Sequence, residues 1–220
     1  MLKPLSEARR SELKEAVGHA EQSLRGAADW LTGRGVEPST ARRFHLGVVD
    51  SDHPHPEFRR YAGRLVIPGI GPGGVYSVRF RDLTGGSPQK MLGLPNTPVR
   101  PFNTRALHYA GDHIAICEGE LDAIIMEQCG IPAVGFTGVS SWQRWSHRLF
   151  EGFPTVYIMA DHDQPGLQFA EKVQKAVPQG RIVVCGDEGE DVNDVFLAHG
   201  RAGVYDVVGL VDPSIEEEAA

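Results

Sequence analysis

The chain has 220 residues, 41% hydrophobic and 23% charged, enough to bury a core in one large domain or two small ones. No apolar run approaches the roughly 18 residues of a membrane span, and the polar N-terminus MLKPLSEARRSELKEA is not a secretory signal. A cytoplasmic location without a membrane partner is therefore expected. A net charge of −7 argues against a simple nucleic-acid-coating protein, but the charge is unevenly spread. Through Gly111 there are 16 Lys and Arg against 10 Asp and Glu; from Asp112 onward there are 6 against 19. A basic half joined to an acidic half suits cations for phosphates and carboxylates for metal ions.

In chain order, residues 5–32 predict helix in two pieces parted near Gly26. Ser6 can cap the first piece, and Leu13, Ala16, Val17, Ala20 and Leu24 recur at helical spacing. Gly33 and Gly35 end the second, because glycine accepts left-handed backbone. A short helix is expected from Pro38 to Phe44, with Ser39 or Thr40 near its start. Residues 45–63 read as a turn and a proline-rich loop, so His53 and His55 are assigned to solvated loop rather than to metal. RLVIPGI and GVYSVRFRD, joined by GPGG, predict a β-hairpin. Arg79 and Arg81 alternate on its second strand and so share one face. The polar loop SPQKMLGLPNTPVRPFNT follows and carries Lys90, which could curl back beside the arginines.

Near residue 111 the character of the chain changes. HIAICEG, IPAVGFTG, PTVYIMADHD and RIVVCGDEG read as strands. ELDAIIMEQCG, WQRWSHRLFEG, QPGLQFAEKVQKAV and VNDVFLAHG read as the helices between and after them. Such alternation indicates an open, mostly parallel α/β sheet with helices on both faces. Trp142 and Trp145 are assigned to packing rather than to base stacking. The tail after Pro213 is expected to fray. Cys117, Cys129 and Cys185 lie far apart in the sequence, which predicts buried reduced thiols and excludes a zinc ribbon.

The acidic residues of this half fall at strand ends. Glu118 ends the first strand, Asp161 and Asp163 end the third, and Asp191 follows the fourth. Parallel strands finish on one edge, where ligands of such sheets bind. Asp161 and Asp163 are two apart and share a face in extended backbone, with His162 pointing away. Asp122, one helical turn after Glu118, can reach the same place. Five carboxylates this close repel one another unless cations neutralise them. Hard oxygen donors without His or Cys select Mg2+ or Mn2+. Taken singly, Glu118 could be a helix cap and Asp163 a turn residue before Pro165 and Gly166.

ICEGELDAI, VYIMADHDQPG and GEDVNDVF, in this order over about residues 112–200, resemble the glutamate motif, the DxD motif and the third acidic segment of the TOPRIM fold, which bacterial primases, topoisomerases and some nucleases share. WLTGRGV with ARRFHLG, LVIPGIGPGGVYSVRFRDL and QKML resemble the basic part of bacterial-type primase cores. The resemblance implies a basic mixed α+β subdomain over 1–111, a TOPRIM metal-binding domain over 112–200 and a C-terminal tail over 201–220. It implies a DNA primase that makes RNA primers on single-stranded DNA from ribonucleoside triphosphates, using two Mg2+ or Mn2+ ions. Glu118, Asp161, Asp163 and Lys90 would be catalytic. Glu118, Asp161, Asp163, Asp191 and Asp122 would hold metal, with Asn193 and Asp194 just behind them. Arg79, Arg81, Lys90 and Asn96 would bind nucleotide and template. Gly93 stands where the family usually has asparagine, and Glu190 where it has lysine. A separate zinc-binding or helicase partner and a phage origin are expected. The alternatives are a metal-dependent TOPRIM nuclease and a non-catalytic DNA-binding TOPRIM module. A topoisomerase fragment is disfavoured, because that chemistry needs a tyrosine on a large companion domain.

Overall fold

A computed structural model describes residues 4–137 and 141–213. The chain divides into two units, Met1–Arg105 and Ala106–Ala220. The division falls before residue 111 because Ala106, Leu107 and Ala110 pack into the second unit's core. Among the described residues no helix is long and apolar enough to cross a membrane.

The first unit starts with α1 (Glu7–Glu21), capped by the Ser6 hydroxyl, which accepts the Arg9 N–H at 3.2 Å. Leu13, Ala16, Val17 and Ala20 form its buried stripe. Leu24 does not extend that stripe; it opens a 3-10 turn, Leu24–Ala27, that leads into α2 (Ala28–Thr32). Of the two glycines after α2, only Gly35 is left-handed (φ 72°), and Gly33 stays right-handed at φ −63°. α3 (Pro38–Arg43) begins on a proline, and its N-cap is Glu37 rather than Ser39 or Thr40.

An antiparallel sheet follows in the order β1-β2-β3-β4, made of β1 (Gly47–Val48), β2 (Leu65–Gly71), β3 (Gly74–Arg81) and β4 (Met91–Gly93). The hairpin β2–β3 is the one expected, with an irregular register between Gly69 and Ile70. β1, β4 and the one-turn helix α4 (Pro56–Arg59) occupy stretches that read as loop. His53 departs most from expectation. It is buried, its Nε2 lies 3.0 Å from the Ala16 carbonyl oxygen, and its Nδ1 accepts the His55 N–H at 3.2 Å. It is a satisfied core histidine, not part of a solvated loop. One face of the hairpin buries Phe80 against Phe58 and Tyr61, whose ring lies parallel to that of Phe80 with centroids 3.8 Å apart.

The second unit holds a parallel sheet in the order β6-β5-β7-β8: β5 (His113–Cys117), β6 (Ala133–Gly135), β7 (Thr155–Ala160) and β8 (Gly180–Val184). Ile114, Ile116, Val156, Ile158 and Ala160 pack in one core with Phe169, Ala170 and Val173 of α6 (Gln164–Ala176). α5 (Glu120–Gln128) packs on β5 and β6, and also on α7 (Val192–Val208). α7 is kinked at Gly200 (φ 64°, ψ −158°), and its second half runs through residues 201–208, where the sequence suggested tail. That half is held by Arg201, whose Nε donates to Asp212 at 2.9 Å, and by the Tyr205 hydroxyl, which donates to the Cys129 carbonyl at 2.9 Å. Residues 214–220, expected to fray, lie outside the described residues.

WQRWSHRLFEG is not a helix; only Ser146–Leu149 forms a 3-10 turn. Trp142 and Phe150 stack with centroids 6.1 Å apart, both against Phe136. Eight residues of α-helix would span about 12 Å, so a compact loop lets both rings reach one spot. All three cysteines are buried and unbridged.

One close approach sets how α1 meets β1. A Cβ on Gly47 would lie 2.3 Å from the Ala20 carbonyl carbon. Gly47→Ala should cost about 1–3 kcal/mol in urea unfolding. Gly18→Ala, in α1 with no neighbour within 4 Å, should instead gain roughly 0.5–1 kcal/mol. Equal midpoints for the two variants would refute the close approach.

Candidate functional site

The parallel strands of the second unit deliver their acidic residues to one edge. Glu118 follows the end of β5, Asp161 and Asp163 follow β7, and the loop after β8 leads to Asp191. A helix starts at each place, presenting unsatisfied N–H groups and a partial positive charge. Asp163 is the N-cap of α6 and accepts the Gly166 N–H at 2.7 Å. Asp191 is the N-cap of α7 and accepts the Asp194 N–H at 3.0 Å, while Asp194 accepts the Asp191 N–H at 3.2 Å. α5 has Gly119 as its N-cap, so Glu118 does not cap it. Asp122, in the first turn of α5, is buried and accepts from the Asn193 amide at 2.7 Å.

These carboxyl groups share one electrostatic field. Burial raises the Asp161 pKa to about 7, helped by Glu118, Asp191, Asp163 and Asp194. Burial and then Asp163 raise that of Glu118. Burial, Asp191 and Asp161 push Asp122 well up, outweighing its hydrogen bond from Asn193. Two oxygens, Oε2 of Glu118 and Oδ1 of Asn193, are buried without a hydrogen-bond partner. Among the described residues no three His, Cys, Asp or Glu side chains already stand in ligating geometry. Hard oxygen donors, an orphaned carboxylate oxygen and an acid whose pKa is raised by burial and then by its neighbours fit a hydrated divalent cation.

In the first unit, Arg79 pairs across the ladder with Gly93 and Arg81 with Met91, so both arginines lie on the face opposite Phe80. The Arg81 and Arg34 guanidiniums each lie 5.6 Å from the centroid of the Trp30 ring. Lys90 is exposed just outside β4, and its carbonyl accepts the Asp82 N–H at 2.9 Å. Asn96 is exposed and left-handed (φ 55°). A Cβ on Gly93 would meet only the Arg79 Cδ, at 3.8 Å, so packing does not demand glycine there.

The Toprim domain family matches residues 113–202. The Gene 57 protein of Mycobacterium phage D29 is 42% identical over 127 residues, which cover 58% of this chain and 82% of that protein. The chain is a relative of that phage protein and carries a Toprim domain. The DNA primase of Pseudomonas putida is 24% identical over 90% of this chain, which spans only 36% of that protein's length. Among solved structures, the Aquifex aeolicus primase (zinc-binding and RNA polymerase domains) matches with TM-score 0.76 and 19% identity, over 93% of this chain and 62% of that one. The RNA polymerase domain of Mycobacterium tuberculosis primase matches with TM-score 0.72 and 22% identity, over 93% and 84%. The fold is that of DnaG-type primase cores.

Within the Toprim domain, sequence reasoning missed several residues that shape the site. Gly166 is one, since a Cβ there would lie 2.4 Å from the Asp161 carbonyl oxygen. Glu120 accepts from the Thr137 hydroxyl at 2.8 Å, and Glu127 from the Ala133 N–H at 3.2 Å and the Tyr109 hydroxyl. In sequence these two glutamates look no different from Asp122. His162 does point away from its aspartate neighbours, but onto the Gly186 carbonyl oxygen, 3.0 Å from its Nδ1.

The folded chain binds the Asp161 proton more tightly than the unfolded chain does, whose carboxyl titrates near 3.8. The stability from this group is therefore complete below that pH and is lost as the pH rises to about 7. Asp161→Asn, assayed in EDTA by circular dichroism, should gain about 5 °C in Tm over wild type between pH 4 and pH 8. A difference in Tm that does not change with pH would show that Asp161 ionises normally.

Proposed function

We propose that this chain makes short RNA primers, joining ribonucleotides on a single-stranded DNA template. The carrying observation is the extent of the fold match. It covers more than nine-tenths of the chain in the primase structures, including the basic unit as well as the Toprim domain. A structure of the DnaG catalytic domain bound to ssDNA, matched over 93% of this chain with TM-score 0.72, supports the template class.

In this reading Asp161, Asp163 and Asp191, with Asp122 beneath them, hold Mg2+ or Mn2+, two ions in all. Asn193 and Asp194 orient that set, Asn193 through its hydrogen bond to Asp122 and Asp194 through the capping box. The bound cations supply charge neutralisation for the attacking 3′ oxygen and the leaving pyrophosphate. Glu118, with its orphaned buried oxygen and raised pKa, either joins the ligands or takes the proton of the attacking 3′ hydroxyl. Arg79 and Arg81 grip phosphates of the template or incoming nucleotide, with Arg81 braced over Trp30. Lys90 and Asn96 add contacts from the same unit. A separate zinc-bearing or helicase chain would choose the start site.

The test is incubation with single-stranded DNA, labelled ribonucleotides and Mg2+ or Mn2+. Template-dependent oligoribonucleotides are expected, and EDTA should abolish them. Metal-dependent cleavage without nucleotides would identify a nuclease instead. Glu118→Gln should lower synthesis at least ~100-fold with an unchanged circular dichroism spectrum, and full synthesis by that variant would end its assignment. Replacing Arg79 and Arg81 together by Ala should reduce the slope of log K against log[salt] for single-stranded DNA by about 1.4, roughly 0.7 per lost phosphate contact. An unchanged slope in fluorescence anisotropy would remove the arginines from the interface.

A further inference from the structure

The turn that carries Asp161 and Asp163 is tied to the loop before Asp191 by contacts that the proposed chemistry does not itself use. The His162 N–H donates to the Glu190 carbonyl at 2.8 Å, and the Gly189 N–H donates to the His162 carbonyl at 2.8 Å. The His162 Nδ1 lies 3.0 Å from the Gly186 carbonyl oxygen. A carbonyl oxygen only accepts, so Nδ1 carries the hydrogen. One residue thus holds both ends of a five-residue loop.

The loop is also closed on itself. The Glu190 carboxylate accepts the Asp187 N–H at 2.7 Å, and the Glu190 N–H donates to the Asp187 carbonyl at 3.0 Å. Gly186 is left-handed at φ 51°, and a Cβ there would lie 1.9 Å from the Glu190 carboxylate, so only glycine permits the tie. Asp191 comes directly after Glu190, and His162 stands between Asp161 and Asp163. Moving the loop would move Asp191, and moving His162 would move both aspartates beside it.

We infer that His162 is a positioning residue, whose imidazole pins the Gly186–Glu190 loop and so fixes Asp191 relative to Asp161 and Asp163. Glu190 serves as the loop's internal tie and not as a metal ligand. The inference rests on the reading of these aspartates as metal ligands. It places beyond the ligand set a pair of residues that determine how well the set binds. Partners that orient ligands in this way are worth about 10–100-fold in metal affinity.

The test is Mn2+ binding to the full chain, followed by electron paramagnetic resonance without nucleic acid or nucleotides. His162→Ala should bind Mn2+ about tenfold more weakly than wild type. His162→Asn, whose side-chain amide nitrogen takes the place of Nδ1, should stay within about threefold. Hydrogen exchange of the metal-free protein is the second readout, and His162→Ala should speed exchange at Asp187, Gly189 and Asp191. Equal Mn2+ affinity for wild type and His162→Ala would overturn the positioning role and leave the metal site standing. Wild type that binds no Mn2+ would overturn both. Unchanged exchange at the three amides would overturn the pin whatever the metal result, and so would an Asn variant as weak as the Ala variant.

Discussion

Mutual repulsion among carboxylates at one edge of a parallel sheet is the constraint on which the second unit is built. Three strands end there, and a helix N-terminus follows each. The helix starts offer N–H groups and partial positive charge where the acids gather. Asp163 and Asp191 give one oxygen each to a cap. Capping thus fixes the orientation of the Asp163 and Asp191 carboxylates at the edge where the other acids gather. Asp161 sits two residues before the N-cap of α6 and is partly buried among four other acids. Burial first, and then the charge of those four acids, raise its pKa to about 7.

The floor beneath the acids raises these stakes. Cys117 and Cys185 are buried close to Asp122 and Asp161, and burial, before any neighbouring charge, pushes both thiols well up. They stay protonated and act as small hydrophobes, which leaves carboxylate oxygens as the hard donors at this edge. A dry floor also strengthens every charge interaction above it. The same burial that makes unneutralised carboxylates costly makes a bound cation effective. Gly166 serves the same end by letting α6 start directly against the Asp161 backbone.

The legible parts of the sequence were those set by short-range pattern. The strands β5 and β7 are apolar runs that stop at an acid, and their parallel pairing follows from the alternation of strand and helix. Arg79 and Arg81 could be placed on one face because strand periodicity is strict. Where tertiary packing decides, the pattern misled. Trp142 and Phe150 fit helical spacing, yet both fill the pocket beside Phe136 by way of a loop. His53 looked solvated among prolines, but its partner is the Ala16 carbonyl, 37 residues away. His162 carried no signal at all, since its partner lies 24 residues on in a loop of ordinary composition.

The two departures from the primase pattern have different physical meanings. At Glu190 an anion replaces the usual lysine, which on charge alone should worsen the repulsion next door. The structure turns that carboxylate inward, onto the Asp187 N–H, and the Glu190 backbone pairs with His162 and Asp187. Glu190, His162 and Gly186 thus meet in one loop, and the Glu190 tie occupies the space that a side chain at position 186 would take. Gly93 has no such partners. Its carbonyl accepts from the Tyr61 hydroxyl at 2.9 Å, a bond any residue could provide, and nothing crowds the place a side chain would take. A side chain at position 93 would stand beside Arg79 on the arginine face. Glycine leaves the space beside the Arg79 Cδ open, whereas the Glu190 carboxylate is built into the Gly186–Glu190 loop.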